Sequence, residues 1–305
     1  MIDILLATYN GEAYLQEQLD SLVAQSCRDW HLYVRDDGST DRTVEIIRCF
    51  YEQHQSRVTI LDTPPGNLGV VRNFEELRSV SRGDYVMFCD QDDVWLPEKV
   101  EKMLAVMQQA ESELGRESPL LVHSDLCVVD YRLQTISPSM WDYQYLGRQS
   151  QRPLRKFLIQ NSVTGCAMMI NRSLCSKVVL PEQALMHDWY LAIAAAAMGK
   201  IVEIAEPLVQ YRQHSSNVSG GVRYSLSGLC RKNVRGARKM LRGTCLQAGI
   251  FLDRHRDELS PEVVELLAEY EQLQHDSFFR KRMRIIHNGF WKSGFWRNVG
   301  LLVIA

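Results

Sequence analysis

A chain of 305 residues, 46% hydrophobic and 24% charged, has enough apolar material for one large α/β domain or one domain with a smaller appendage, which excludes a disordered chain. A formal net charge of -2 and a pI near 6.5 exclude a nucleic-acid binder as a whole. The eight cysteines form no CxxC pair, which excludes a zinc ribbon or disulfide framework and fits a reducing cytoplasm; neither a signal peptide nor a spanning helix is expected.

The first half alternates strand-like and helix-like segments, the pattern of βαβ units on a mainly parallel sheet. Residues 2–7 read as a strand and residues 12–25 as a helix with Leu15, Leu19, Leu22 and Val23 on one face. Residues 30–34 alternate as a second strand and end in DDGSTD, where Ser39 and Thr40 are candidate N-caps for a helix to about Tyr51. A strand at 58–61, a turn at PPGN (64–67), a helix at 70–80 and a strand at 84–89 follow, and Pro97 opens a helix with Val100, Met103, Leu104 and Met107 on one face. Further on, 120–125, 165–170, 201–204 and 208–212 read as strands, and 153–160 and 187–198 as helices. After Gly220 the composition turns helical and basic, including RKRMR at 280–284.

Ligands of open α/β sheets bind beyond the carboxyl ends of the strands, and two such ends are acidic here: Asp36-Asp37 and Asp90-Gln91-Asp92-Asp93. Asp-x-Asp leaving a strand suits a hard, oxygen-ligated ion. Solvated loop or helix-capping carboxylates explain the same residues without chemistry. A haloacid-dehalogenase phosphatase would match Asp90 to Val94, but its downstream acidic strand end is missing; an EF-hand lacks the loop glycine and the twelfth-position glutamate.

ATYNGEAYLQEQLDSLVAQ, VRDDGSTDRT, NLGVVRNF and GDYVMFCDQDDVW, in that order, resemble glycosyltransferase family 2 enzymes of the GT-A fold, and the DQDDVW form is most similar to bacterial rhamnosyltransferases of surface-polysaccharide assembly. The resemblance covers about residues 1–220 and implies a GT-A catalytic domain there, a Rossmann-like mixed, mainly parallel sheet flanked by helices, with a helical, basic and aromatic appendage at 221–305. It implies that Thr8, Tyr9, Glu12, Asp36, Asp37 and Asn67 line the nucleotide. Asp90 would meet the ribose and donor sugar, and Asp92 would hold Mn²⁺ or Mg²⁺. Asp93 is left between metal binding and capping the Pro97 helix.

MHDWY at 186–190 resembles the segment that carries the family's general base, which makes Asp188 the catalytic residue; as the opening residue of an Ala-rich helix it could equally be an N-cap. YRQHSSN at 211–217 resembles a pattern in which His214 completes the metal shell and Arg212 meets the diphosphate. Thr164, Gly165, His187, Trp189 and Trp95 are the corresponding donor-sugar and acceptor pocket, with core packing the competing role of the aromatics. The implied activity is a metal-dependent, inverting transfer of a sugar, L-rhamnose from dTDP-rhamnose foremost, to a glycan or lipid-linked glycan. UDP-glucose, UDP-galactose or UDP-N-acetylhexosamine donors and a non-catalytic nucleotide-sugar-binding protein are the alternatives. No nucleic-acid partner is expected; a homo-oligomer is compatible. The basic, aromatic stretch at 280–297 fits an enzyme in the cytoplasm that touches the inner face of the membrane, or else a helical unit packed on the catalytic part.

Overall fold

The computed structural model describes residues 1–62, 66–146, 153–214 and 234–305. Strand β1 (Ile2–Thr8), helix α1 (Leu15–Val23), β2 (Trp30–Asp36), α2 (Thr43–His54), β3 (Val58–Ile60), α3 (Val70–Val80) and β4 (Tyr85–Asp90) realise the alternation of the first half. β1 pairs in parallel with both β2 and β4, and β2 with β3. The chain thus winds outward through β2 and β3 and returns on the other side of β1. Connections diverge there, which opens a crevice at the carboxyl ends of β1 and β4.

Alternation along β1 buries both of its faces. Ile2, Ile4 and Leu6 pack with Leu15, Leu19 and Leu22 of α1 and with Ile47 and Phe50 of α2, whereas Leu5 joins Phe74 and Leu77 of α3. Each such side chain contributes roughly 1.5–3 kcal/mol on burial, so a one-residue slip that exchanges the two sets is strongly disfavoured.

The second half departs from the parallel pattern. β5 (Val94–Trp95) and α4 (Lys99–Leu114) lead to β6 (Leu120–Val129), β7 (Thr135–Ser137), α5 (Met140–Tyr143), α6 (Leu154–Ile159), β8 (Met168–Asn171), α7 (Arg172–Lys177), α8 (His187–Met198) and β9 (Lys200–Arg212). β8 runs antiparallel between β4 and β6, and the sheet order is β3-β2-β1-β4-β8-β6-β9-β5 with β7 paired to β6. The sheet is therefore mixed, as expected, with its parallel part in the N-terminal half. Helices α9 (Val234–His255), α10 (Pro261–Gln272), α11 (Phe278–Asn288) and α12 (Phe295–Ile304) follow. Leu241, Phe251, Tyr270, Ile285 and Leu301 of these helices enter the same apolar cluster as Leu5, Phe74 and Tyr190, so the C-terminal region is continuous with the core on one side of the sheet.

Several expected elements shift. The segments 201–204 and 208–212 are one strand, β9, whose register against β6 slips between Ser124 and Cys127. Residues 165–167 form a single 3₁₀ turn ahead of β8 rather than strand. α1 starts three residues later than expected because the amides of Tyr14 and Leu15 close a turn on the Gly11 carbonyl. Ser39 and Thr40 are not N-caps: α2 starts at Thr43, whose amide and hydroxyl donate to Asp41 Oδ1 at 3.0 and 2.5 Å. Pro64 and Pro65 of PPGN, Ser215 to Asn217 of YRQHSSN, and the expected boundary at 220 lie outside the described residues.

Candidate active site

A cleft of about 1530 Å³ opens over the carboxyl ends of β1 and β4. Thr8, Tyr9, Asp37, Asn67, Asp90, Asp92, Thr164, Gly165, His187, Asp188, Trp189 and His214 all line it, so the fold gathers onto one surface residues that the sequence separates by two hundred positions.

At the end of β2 the two carboxylates divide their work. Asp36 organises its own loop: Oδ1 accepts from Thr8 Oγ1 (2.9 Å) and Ser39 Oγ (2.5 Å), and Oδ2 from the amides of Gly38 (3.0 Å) and Ser39 (2.7 Å). Asp37 is buried at the cleft wall, paired with Arg35 at 2.9 Å, and takes the amides of Leu68 and Gly69 at 2.8 Å each. These bonds clamp the NLG turn against β2. Asn67 Oδ1 accepts the Gly69 amide at 2.9 Å, so its side chain braces the same turn.

At the end of β4 alternation sorts the carboxylates. Asp90 and Asp92 face the cleft, and Asp93 turns inward, fully buried, where its Oδ1 accepts the Arg212 amide at 3.1 Å. Asp93 therefore ties the DQDD loop to β9 and does not cap α4, whose N-cap is Glu98. Asp92 Oδ2 meets His214 Nε2 at 2.7 Å, and the His214 ring lies 4.7 Å from that of Tyr14. Burial, followed by the charges of Asp92 and Asp188, pushes the Asp90 carboxyl up to about 7. Beneath the loop, Asp90, Asp93 and Cys166 bring ligand atoms within 4.8 Å of one another. A cation of the chain already sits there: Lys99 Nζ donates to the Cys166 carbonyl at 2.5 Å and lies 3.0 Å over the Trp95 ring, with burial pulling its ammonium down to about 7.

At the start of α8, Asp188 is second in the helix behind Met186 as N-cap, so its carboxylate does not cap the helix. Oδ1 accepts from Asn161 Nδ2 and Oδ2 from the Gly165 amide, both at 3.0 Å. Burial pushes it up to about 7, against the pull of those hydrogen bonds. His187 lies beside it between Phe74 and Phe88, with ring centroids at 4.1 and 5.1 Å. Neither of its ring nitrogens has a hydrogen-bond partner among the described residues, and burial holds its pKa down to about 3, a neutral imidazole. Gly165 makes this possible, since a Cβ there would stand 2.5 Å from His187 Nε2. Trp189 Nε1 donates to the Phe157 carbonyl at 2.5 Å.

Four expected residues are not on the cleft wall. Trp95 is buried under Lys99. Arg212 is buried behind the DQDD loop, donating to the carbonyls of Asp92 (2.8 Å) and Tyr131 (2.9 Å), paired with Glu17 and stacked on Tyr14 at 4.6 Å. Glu12 accepts the Arg42 amide at 2.9 Å on the exposed side of its loop, and Asp36 is taken up as described. Conversely, Gln91 and Asn161 were not foreseen. Gln91 clamps Tyr9 by its amide (2.8 Å) and carbonyl (2.9 Å), a role its place inside DQDD could have signalled. The C-terminal helices were also missed as a wall: Ala237, Met240, Lys292, Trp296, Arg297 and Val303 line the cleft.

Residues 3–179 match the profile of a family described as Glycosyl transferase family 2. The chain is 26% identical over 246 residues to "dTDP-rhamnosyl transferase RfbG" of Shigella flexneri, covering 74% of this chain and 79% of that protein. It is 27% identical over 229 residues to an uncharacterized protein of Mycobacterium tuberculosis, which covers 71% of this chain but 60% of the relative's length. Its backbone is similar to that of TarS 1-349 from S. aureus, solved in complex with UDP-GlcNAc, with a TM-score of 0.59 at 15% identity, covering 95% of this chain and 89% of that one.

Proposed function

The chain belongs to glycosyl transferase family 2, and on that premise we propose that it moves a sugar, L-rhamnose foremost, from a nucleoside-diphosphate donor to a hydroxyl of a glycan or lipid-linked glycan with inversion. The observation that carries this reading is the Asp188 carboxylate, fixed by Asn161 and the Gly165 amide on the wall of the cleft and pushed up to about 7 by burial. A carboxylate titrating near neutrality is suited to take a proton in the transition state. The acceptor hydroxyl gives its proton to Asp188 as its oxygen bonds to the anomeric carbon. The bond from that carbon to the diphosphate oxygen breaks, and the electron pair leaves with the nucleoside diphosphate. One displacement inverts the centre, so a β-linked donor yields an α-linked product.

Thr8, Tyr9, Asp37 and Asn67 receive the base and ribose, and Asp90 the ribose and donor sugar. Glu12 and Asp36 act on the nucleotide through the loops they shape. Two carboxylates and an imidazole, with Asp92 and His214 already in contact, make a donor set that fits Mn²⁺ or Mg²⁺. When bound, the ion neutralises charge on the departing diphosphate. Arg212 holds the Asp92 backbone in place from behind. Thr164, Gly165, His187 and Trp189 form the sugar pocket. The similarity to the Shigella rhamnosyl transferase and the DQDDVW form support the donor, and the basic, aromatic C-terminal helices support a place at a membrane surface.

A donor panel of dTDP-rhamnose, UDP-glucose, UDP-galactose and UDP-N-acetylglucosamine, run with Mn²⁺, Mg²⁺ and a chelator, tests the reading. Turnover with dTDP-rhamnose that chelation removes is expected. A uridine donor as sole substrate would reassign the sugar, and turnover unaffected by chelator would release Asp92 and His214 from metal binding.

A further inference from the structure

We infer that the outward faces of α11 and α12, with the basic first half of α9, dock on an anionic lipid bilayer and hold the mouth of the cleft against it. This deepens the membrane placement proposed above and rests on it for location only. Each helix turns one face inward, through Ile285 and Leu301, and leaves an apolar stripe outside. On α11 the stripe is Phe279, Met283 and Ile286, spaced i, i+4, i+7; on α12 it is Trp296, Val299 and Val303, spaced i, i+3, i+7. Phe279 is 77% exposed, Met283 65%, Val303 61%, and Phe295, beside the second stripe, 72%. Large apolar side chains repeated in register on a surface mark a docking site rather than scattered exposure.

Charge selects the occupant. Arg280, Lys281, Arg282, Lys292 and Arg297 stand in residues 277–305 without a single acid, Arg284 of the same stretch being paired with Glu269 and Asp276, and Arg235, Arg238, Lys239 and Arg242 stand in the first half of α9 without one. A twofold contact between copies would set this one-signed face against itself. An anionic bilayer complements it, with the aromatics entering the headgroup boundary and the cations meeting lipid phosphates. Arg282 donates to the carbonyls of Ala305 (2.8 Å) and Val303 (3.4 Å), which locks α11 to the end of α12 and holds the two stripes on one unit. A second cavity of about 220 Å³ lies where α9, α11 and α12 meet, with Arg238, Arg242 and Lys281 around Leu241, Leu273 and Ile304, a lining that suits a lipid phosphate and the start of its chain. Trp296 and Val303 belong both to the outer stripe and to the wall of the large cleft, so a surface bound there borders the cleft itself.

The test uses the full chain without donor or acceptor, co-sedimented with phosphatidylcholine vesicles and with vesicles that also contain phosphatidylglycerol. Binding to the anionic vesicles only, weakening as salt rises, is expected. The triple variant Phe279→Ser, Met283→Ser, Phe295→Ser and the charge pair Arg280→Glu, Lys281→Glu should each lower it roughly tenfold or more. Both keep calorimetric binding of dTDP, a readout that fails instead if the sugar-transfer reading is wrong. The charge pair leaves every apolar group in place and covers the case in which the triple variant does not fold. Equal binding to both vesicle types, or no binding to either, overturns the inference. Dimers that the triple variant dissociates, without vesicle binding, would give the face to a second copy.

Discussion

Asp37 and Asp188 are both buried carboxylates on the wall of one cleft, but their surroundings are opposite. Asp37 has the Arg35 guanidinium at 2.9 Å and two backbone amides, a charge matched on every side. Asp188 has the Asn161 side-chain amide and the backbone amides of Trp189 and Gly165, with no cation against it among the described residues, and burial pushes it up to about 7. A buried ion pair fixes structure, whereas a desolvated, unpaired carboxylate holds a proton-accepting group ready at a cost in stability. The Asp37 edge of the cleft is thus built to stay in place, and the α8 edge carries a carboxylate that titrates near neutrality, as the proposed role of general base requires.

The largest effect expected from this contrast is on rate. Asp188→Asn should lower sugar transfer by roughly 10²–10⁴-fold in steady-state assays and leave calorimetric dTDP binding within about twofold, because it removes the proposed base without changing the shape of the site. Unimpaired transfer would dissolve the distinction. Next comes Asp37→Ala, which leaves the buried Arg35 charge uncompensated; chemical denaturation should show a loss of about 3–5 kcal/mol, and a loss near zero would mean that Asp37 holds no structure. The pH dependence follows. Transfer should fall about tenfold per unit as pH drops below about 7, where Asp188 becomes protonated. A rate flat down to pH 5 would remove Asp188 as the titrating base.

The smallest effect is on stability and has the opposite sign to that of Asp37. The folded pKa of Asp188 is raised above its unfolded value of about 4, so the folded state holds the extra proton between the two. Its contribution is fully present below about pH 4, is lost as pH rises to about 7, and changes no further above that. Asp188→Asn should therefore unfold on the order of 1–2 kcal/mol later than the parent at pH 8 and nearly with it at pH 4. A variant destabilised at pH 8 would contradict the desolvation account.

Much of the site could be read from motifs, because the chemistry of a strand end depends on residue type and spacing. Asp90, Asp92, Asp188 and His214 all line the one cleft. Trp95 and Arg212 belong to the same motifs and turn away from it, because their strands β5 and β9 pair behind the loop and put those side chains into the core. Asn161 and Gln91 carry no motif chemistry of their own. A side-chain amide takes its role from what lies across from it, here Asp188 and the Tyr9 backbone. The aromatic residues of α12 read as an interfacial appendage, and the folded chain adds that Trp296 is also a cleft wall.

By itself the sequence determined the family, the order of the N-terminal βα units and the acidic strand ends, since these rest on local periodicity and residue chemistry. Tertiary structure decided which carboxylates meet a cation and which meet only amides, that Asp93 is a tie to β9, and that the C-terminal helices form part of the cleft wall. Desolvation and charge pairing depend on distances across the sheet between residues far apart in the chain, and no local pattern encodes those distances.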